Sequence, residues 1–135
     1  MRFLLDTQTL INYLRSDTAL PSSIQEFMED YDNQCFVSVI SLHEIVIKSA
    51  KNKLKFNYNL GTVLQYLKQE SINIVPILPK HVLQVESFEQ NPLHKDPFDR
   101  LLIAQCIEEK LTFLTTDHKI PMYAQYGLDY LQYNN

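Results

Sequence analysis

Short apolar runs and segments of helical periodicity alternate along the whole chain. The apolar runs that predict β-strands are RFLL (2–5), CFVSV (35–39), INIVPI (72–77), LTFLTT (111–116) and LDYL (128–131). Between these runs, apolar residues recur three and four positions apart, as they do on one face of a helix. Continuous apolar strands that alternate with helices favour a parallel sheet covered by helices on both faces. The pattern therefore predicts an α/β fold.

The predicted helices have recognisable starts. Ser22 or Ser23 is the predicted N-cap of a helix that follows Pro21, and Ser41 with Glu44 has the spacing of a capping box. The main predicted helices are TQTLINYLR (7–15), SSIQEFMEDY (22–31), SLHEIVIKSAKNK (41–53), LGTVLQYLKQE (60–70), residues 80–88 and PFDRLLIAQCIEEK (97–110).

The 135-residue chain has an ordinary globular composition, with 45% hydrophobic and 21% charged residues. No linker or composition shift divides it, so we expect a single domain over residues 1–135. No apolar stretch is long enough to cross a membrane, and the first residues lack the pattern of a signal peptide. The two cysteines fit neither a disulfide framework nor a zinc site. These features predict a cytoplasmic protein without a membrane partner.

The net charge of −4 at pH 7 argues at first against a nucleic-acid partner. The overall sign misleads, however, where acids gather in one site and basic residues gather in another. KSAKNKLK (48–55), which begins at Lys48, is a basic cluster of this kind. Binding of a nucleic acid is therefore not excluded by the charge.

Acidic residues stand at several predicted strand-to-helix junctions, which a parallel sheet brings to one edge. These residues are Asp6, Glu44, Asp99 and Asp117. Each one alone is explained as a helix cap or turn residue, a contribution of about 1 kcal/mol. Two carboxylates about 5 Å apart, however, repel by about 3 kcal/mol at an effective dielectric constant of 20. A group of them is expected where a divalent cation binds, and oxygen ligands favour Mg²⁺ or Mn²⁺.

The stretch HKDPFDRLLIAQ (94–105) contains one acid predicted to cap a helix and a second acid predicted to belong to the site. Asp96 precedes Pro97, a residue favoured at the first helical position, and is therefore the predicted N-cap. Asp99 stands one turn further in and is directed towards the edge where Asp6 and Asp117 end their strands. A cation bound there lowers the pKa of a water molecule, which can then attack a phosphodiester. The expected reaction is phosphodiester hydrolysis.

The segments FLLDTQTLINYL, SLHEIVIKSAKNKL, HKDPFDRLLIAQ and LTFLTTD, in this order, resemble the PIN domain. More narrowly, they resemble the VapC-type ribonuclease toxins of type II toxin–antitoxin systems, over about residues 2–130. The resemblance implies a three-layer αβα sandwich with a five-stranded parallel sheet. It also implies an endoribonuclease that depends on Mg²⁺, with Mn²⁺ as a possible substitute. A homodimer and a cognate antitoxin protein that blocks the site are implied as partners.

The resemblance further implies roles for individual residues. The catalytic and metal-binding acids are Asp6, Glu44, Asp99 and Asp117, with Asp96 as an additional acid beside the metal. The candidate contacts with RNA or with metal-bound ligands are Thr7, Lys48, Arg100 and Thr116.

The chain departs from the family pattern in several places, none of which removes a carboxylate. It has no Trp, and His43 stands before the helix glutamate where relatives often carry one. His94 and His118 flank the acids and could contact RNA phosphate, but the favoured interpretation is that they are solvated loop residues. Asn52 replaces a glycine of the relatives and can adopt the same left-handed conformation.

The alternative function is that of a catalytically silent PIN-like module that acts only by binding proteins. The presence of all four acids argues against this alternative, because a protein without an active site has no reason to keep carboxylates that repel one another. A haloacid-dehalogenase-type phosphatase is excluded because Gln8 stands where it needs a second aspartate. A response-regulator receiver is excluded because Asp6 has no acidic neighbour after the first strand.

Overall fold

The computed structural model describes residues 1–15, 20–54, 58–88 and 94–134. Its strands are β1 (Arg2–Leu5), β2 (Gln34–Ser38), β3 (Asn73–Val75), β4 (Thr112–Thr115) and β5 (Asp129–Gln132). They form one parallel sheet, as the alternating pattern predicts, in the order β3-β2-β1-β4-β5. The helices are α1 (Thr7–Leu14), α2 (Ser22–Glu29), α3 (Val39–Ala50), α4 (Leu60–Gln69), α5 (Pro79–Glu86), α6 (Pro97–Glu109) and a 3₁₀ helix (Ile120–Tyr126).

The sheet is covered on both faces, which confirms the predicted three-layer αβα fold. Successive residues of β1 point to opposite faces, so Phe3 and Leu5 pack into one apolar cluster and Leu4 into the other. The first cluster includes residues of α1, α2, α3 and α4, and the second includes residues of α6 and the 3₁₀ helix. The central strand is therefore buried on both sides, which explains why it is a continuous apolar run.

Strand β1 lies between β2 and β4, and this pairing positions the acidic residues. Leu5 is in register with Leu114, so the residues after β1 and near the end of β4 are neighbours in space. The backbone N–H of Asp6 donates to Leu114 O at 3.0 Å and extends the ladder by one residue. The sheet edge expected to collect the acids therefore exists.

Two predicted helix starts are wrong. Helix α3 begins at Val39 directly after β2, with the Ser38 hydroxyl accepting from Ile40 N, so Ser41 and Glu44 do not form a capping box. The fully buried Ser41 lies inside the helix and contacts Thr7 instead. Helix α2 has Pro21 at its N-cap position, without a side-chain hydrogen bond, in place of Ser22 or Ser23.

Other local predictions hold with small changes. Pro76 cuts the apolar run INIVPI (72–77) short, as predicted, and β3 ends at Val75 because Pro76 has no N–H to donate to the ladder. Asn52 has a φ of 54°, the left-handed conformation expected where relatives have glycine. Within the described part of the chain, no helix is both long and apolar enough to cross a membrane.

Candidate active site

Asp6 ends β1 and begins α1, and its carboxylate serves both the helix and the site. Its Oδ1 accepts from Thr9 N at 2.7 Å, so Asp6 is the N-cap of α1. Its Oδ2 accepts a short hydrogen bond from the Thr115 hydroxyl. The cap interpretation and the functional interpretation of Asp6 are therefore compatible, because each uses a different oxygen.

Thr115 is a site residue that sequence reasoning missed, whereas its neighbour Thr116 was among the predicted contacts. The fully buried Thr115 hydroxyl donates to Asp6 and accepts from Asp117 N at 3.0 Å. It thereby links the acids that follow β1 and β4. A hydroxyl at the end of an otherwise apolar strand is the only signal in the sequence that could have identified it.

Glu44 lies in the second turn of α3 and faces the end of β1. Its Oε1 accepts from the Thr7 hydroxyl at 2.7 Å, and the same hydroxyl lies 2.9 Å from Ser41 Oγ. Only 8% of the Glu44 surface is exposed. Thr7 therefore fixes the orientation of a buried carboxylate.

Asp96 and Asp99 start α6 as the sequence predicts. Asp96 Oδ1 accepts from Phe98 N at 2.9 Å and from Asp99 N at 3.1 Å, which is the geometry of an N-cap. Asp99 stands in the first turn of the helix, where the helix dipole favours negative charge. The cap therefore determines where Asp99 points.

One pocket of about 210 Å³ collects these residues. All the predicted acids line it, together with Thr7, Thr116 and Lys48; the acids are Asp6, Glu44, Asp96, Asp99 and Asp117. They come from the ends of β1 and β4 and from α3 and α6. The larger groove of about 1110 Å³ lies at the opposite end of the strands, where Gln34 and Asn73 begin β2 and β3.

The electrostatics of this pocket favour a bound cation. Burial raises the pKa of Asp6 and of Glu44 above the usual range of carboxyl groups. Burial raises the pKa of Asp99 to about 7, and the charges of Asp96, Glu44, Asp6 and Asp117 add to the effect. Carboxylates that ionise only with difficulty are stabilised by a positive ion, so the donor set fits a divalent metal.

Comparisons with known proteins agree with this architecture. The model of the PIN domain family matches residues 3–125. The chain belongs to the PIN domain family. A comparison with curated protein sequences finds no match.

Solved structures share the PIN fold at low sequence identity. One such structure is that of VapBC2 from Rickettsia felis bound to a DNA fragment from its promoter. A chain of that structure is 20% identical to this one with a TM-score of 0.70, and the alignment covers 99% of this chain and 100% of that one. A chain of a toxin–antitoxin complex from Klebsiella pneumoniae is 18% identical with a TM-score of 0.67, and the alignment covers 98% of this chain and 99% of that one. A chain of the Haemophilus influenzae VapBC-1 structure is 18% identical with a TM-score of 0.66, and the alignment covers 98% of both chains. These likenesses show the fold.

His94 is the residue of this PIN domain that sequence reasoning misplaced. It is 4% exposed, so the expectation of a solvated loop histidine is wrong. Its Nδ1 lies 2.6 Å from Tyr123 Oη, and its Nε2 lies 3.6 Å from Asp99 Oδ2 and 3.5 Å from Asp117 Oδ2. The ring packs edge-on against Tyr123 of the 3₁₀ helix, a long-range contact that local sequence does not reveal.

Arg100, a predicted RNA contact, lies beneath the site and outside the set of pocket-lining residues. It is 8% exposed, and its Nη1 is 3.4 Å from His94 O and 3.5 Å from Tyr123 Oη. Its guanidinium also lies over the ring of Phe88, at 5.5 Å from the ring centre. This position disfavours a contact with RNA and suits a residue that holds His94 and Tyr123 in place.

The remaining basic and histidine candidates lie around the pocket. Lys48, in the last turn of α3, lines the pocket and partly offsets the raised pKa of Glu44. Exposed His43 lies edge-on to Phe98, with 5.8 Å between ring centres. His118 is exposed and pairs with Gln132. Lys55, the end of the predicted basic cluster, lies outside the described residues.

Proposed function

We propose that this PIN domain is a metal-dependent endoribonuclease. PIN domains are generally nucleases. The observation that carries the proposal is the convergence of Asp6, Glu44, Asp99 and Asp117 on one pocket in which burial raises the pKa of three of them. A pocket that gathers five carboxylates, of which Asp6 and Glu44 are buried, is unfavourable without a cation and well suited to one.

In this proposal each acid has a distinct task. Asp6, Asp99 and Asp117 bind Mg²⁺ or Mn²⁺, and Asp96 adds negative charge beside them. Glu44, held by Thr7, binds the metal or positions the attacking water. A bound divalent ion would supply charge for the transition state and acidify a water molecule. Asp6, held by Thr115, provides a carboxylate of fixed orientation.

The pocket favours a phosphate group as the part of the substrate that enters. Its volume of about 210 Å³ suits a small group, and its lining is dominated by polar and acidic side chains. Lys48 is the one cation among the residues that line the pocket in the described structure. We infer that Lys48 contacts a phosphate of the RNA, with the metal as the main electrostatic attraction. Thr116 is the further candidate for a contact with RNA or with a metal-bound ligand.

We also propose that the protein is the toxin of a type II toxin–antitoxin pair, acting in the cytoplasm as a homodimer. The support is the similarity in fold to chains of VapBC structures and of a toxin–antitoxin complex. The partner would be a small antitoxin protein encoded beside this chain. Induced expression should then arrest growth, and expression of the Asp6→Asn variant should not.

The nuclease proposal is tested with purified protein and single-stranded RNA in Mg²⁺ or Mn²⁺. Cleavage is expected with metal and should disappear in EDTA. Asp6→Asn should reduce the rate at least about 100-fold while folding normally, because asparagine is as good an N-cap as aspartate. Asp129→Asn, an exposed acid at the start of β5, is the matched control and should cleave normally.

Two results would contradict the nuclease proposal. The first is undiminished cleavage in EDTA or by the Asp6→Asn variant. The second is a complete lack of cleavage by well-folded, metal-bound wild-type protein across varied RNA sequences, which would favour the catalytically silent binding module.

A further inference from the structure

His94 presents an unsatisfied nitrogen to the acidic pocket. Its ring is 4% exposed, and within the described structure its Nε2 has no hydrogen-bond partner. This nitrogen faces Asp117 Oδ2 at 3.5 Å and Asp99 Oδ2 at 3.6 Å. Buried polar atoms without a partner are rare in proteins and require an explanation.

The distances around Nε2 are those of atoms that share a metal ligand sphere. Hydrogen bonds of the N–H···O type span about 2.7–3.2 Å, so both contacts are too long to be good ones. Two ligands of a four-coordinate zinc ion, at bond lengths of about 2.1 Å, are about 3.4 Å apart. One ligand atom from each of His94, Asp99 and Asp117 lies within 4.8 Å of the other two.

The other side of the imidazole is fixed as in a metal-binding histidine. Nδ1 lies 2.6 Å from the hydroxyl of Tyr123, which is itself 2% exposed. Arg100 Nη1 lies 3.5 Å from the same hydroxyl and 3.4 Å from the carbonyl oxygen of His94. If Nδ1 donates its proton to Tyr123 Oη, the lone pair of Nε2 faces the two carboxylates. Histidine ligands are commonly oriented through their second nitrogen in this way.

We propose that His94 Nε2, Asp99 and Asp117 form a mixed nitrogen–oxygen site that binds transition-series cations such as Zn²⁺ and Co²⁺ in preference to Mg²⁺. Imidazole suits these ions, whereas Mg²⁺ favours oxygen ligands and keeps several waters. The inference deepens the proposed function, since Asp99 and Asp117 are also ligands there. It adds His94 to the acids of the proposed function, so that the metal preference of the site depends on this histidine.

The competing arrangement is purely structural. In it, Tyr123 donates its proton to Nδ1, and Nε2–H points at the two carboxylates as a weak donor. His94 would then influence all divalent cations alike, through the positions of Asp99 and Asp117. Comparing cations of different chemistry distinguishes the two arrangements.

The test is metal binding by the full chain without RNA. Calorimetric titration with CoCl₂ and MgCl₂ is done on wild type, His94→Gln and the control His118→Gln, which removes an exposed imidazole beside Asp117. We expect His94→Gln to weaken Co²⁺ binding by at least about tenfold, and to change Mg²⁺ binding far less. His118→Gln should match wild type for both ions. Equal losses for both ions in His94→Gln, or no loss for Co²⁺, would overturn the inference.

A measurement on protein with His94 intact covers the case in which His94→Gln fails to fold. X-ray absorption of equimolar Zn²⁺ bound to the His118→Gln protein should show the outer-shell scattering of one imidazole together with oxygen ligands. A spectrum with oxygen ligands alone would overturn the inference. Neither measurement requires catalysis. An imidazole ligand in a protein that never cleaves RNA would leave the inference standing and defeat the nuclease proposal. Oxygen-only binding in an active ribonuclease would do the reverse.

Discussion

The Thr115 hydroxyl donates to the Asp6 carboxylate and joins the ends of the neighbouring strands β1 and β4. The same oxygen accepts from Asp117 N, so one buried hydroxyl orders acids from both strands. This hydrogen bond lowers the pKa of Asp6, although burial raises it more. Thr115 therefore keeps Asp6 easier to ionise than its burial alone would allow.

Thr115→Val should lower the free energy of unfolding by about 1–3 kcal/mol, because it leaves buried polar partners unsatisfied. Metal affinity should fall as well, since Asp6 becomes harder to ionise. Urea unfolding and metal titration measure the two effects. Thr112→Val, the same change at the other end of β4, is the control and should have little effect on metal affinity. Wild-type metal affinity in Thr115→Val would contradict this role.

Asp99 predicts a pH dependence of stability in the metal-free protein. Its pKa of about 7 in the folded state exceeds the value near 4 in an unfolded chain. The folded state therefore binds the proton more tightly. This contribution to stability is fully present below about pH 4 and is lost as the pH rises through about 7. In EDTA, Asp99→Asn should remove this part of the pH dependence.

The same variant should stabilise the metal-free protein above pH 7, because a neutral amide replaces a half-buried carboxylate among other acids. A gain of about 1 kcal/mol would raise Tm by about 3–6 °C. Melting curves in EDTA at pH 5 and pH 8 measure the effect. Asp129→Asn, at an exposed site, should leave the pH dependence unchanged. A Tm for Asp99→Asn below that of wild type at pH 8 would contradict the prediction.

Divalent metal should stabilise the wild-type protein. A ligand at 100 times its Kd adds about 2.7 kcal/mol when it binds only the folded state. Thermal melts in increasing Mn²⁺ should therefore show a rising Tm for wild type and for Asp129→Asn. Asp99→Asn should lose most of this rise because a ligand is missing. An equal rise in Asp99→Asn would place the bound metal elsewhere.

Two substitutions of Asp96 separate its contribution as a helix cap from the contribution of its negative charge. Asp96→Asn keeps a good N-cap for α6 and should unfold with nearly wild-type free energy. Asp96→Ala removes the cap and should lose about 1 kcal/mol. Both variants should bind Mn²⁺ more weakly, because both remove a negative charge from the pocket. Wild-type Mn²⁺ affinity in both would leave Asp96 as a cap alone.

Lys48 should determine part of the salt dependence of RNA binding. In the inactive Asp6→Asn background, Lys48→Gln should reduce the slope of log affinity against log salt by about 1, the effect of one phosphate contact. Lys51→Gln changes a neighbouring exposed lysine outside the pocket and is the control. Fluorescence anisotropy at several salt concentrations measures both slopes. Equal slopes for wild type and Lys48→Gln would exclude the contact.

Some features of the site can be predicted from local sequence. Asp6 follows an apolar run and Asp96 precedes Pro97, so both caps are recognisable from their immediate neighbours. The capping box assigned to Ser41 and Glu44 failed because β2 passes into α3 without a loop, and Ser38 takes the cap position. The spacing of Ser41 and Glu44 alone does not show where the preceding strand ends. Glu44 nevertheless reaches the pocket, because Thr7 holds its carboxylate.

The order of strands and helices, the parallel sheet and the edge where the acids gather can all be predicted from the amino-acid sequence. They follow from hydrophobic periodicity, which depends on residues near one another in the chain, and from the pairing rules of parallel strands. The surroundings of Thr115, His94 and Arg100 depend on tertiary packing. Their contacts join residues distant in sequence: Thr115 with Asp6, and His94 and Arg100 with Tyr123. Burial by such long-range packing leaves no periodic signal, which is why His94 was expected in solvent and lies instead against the acids.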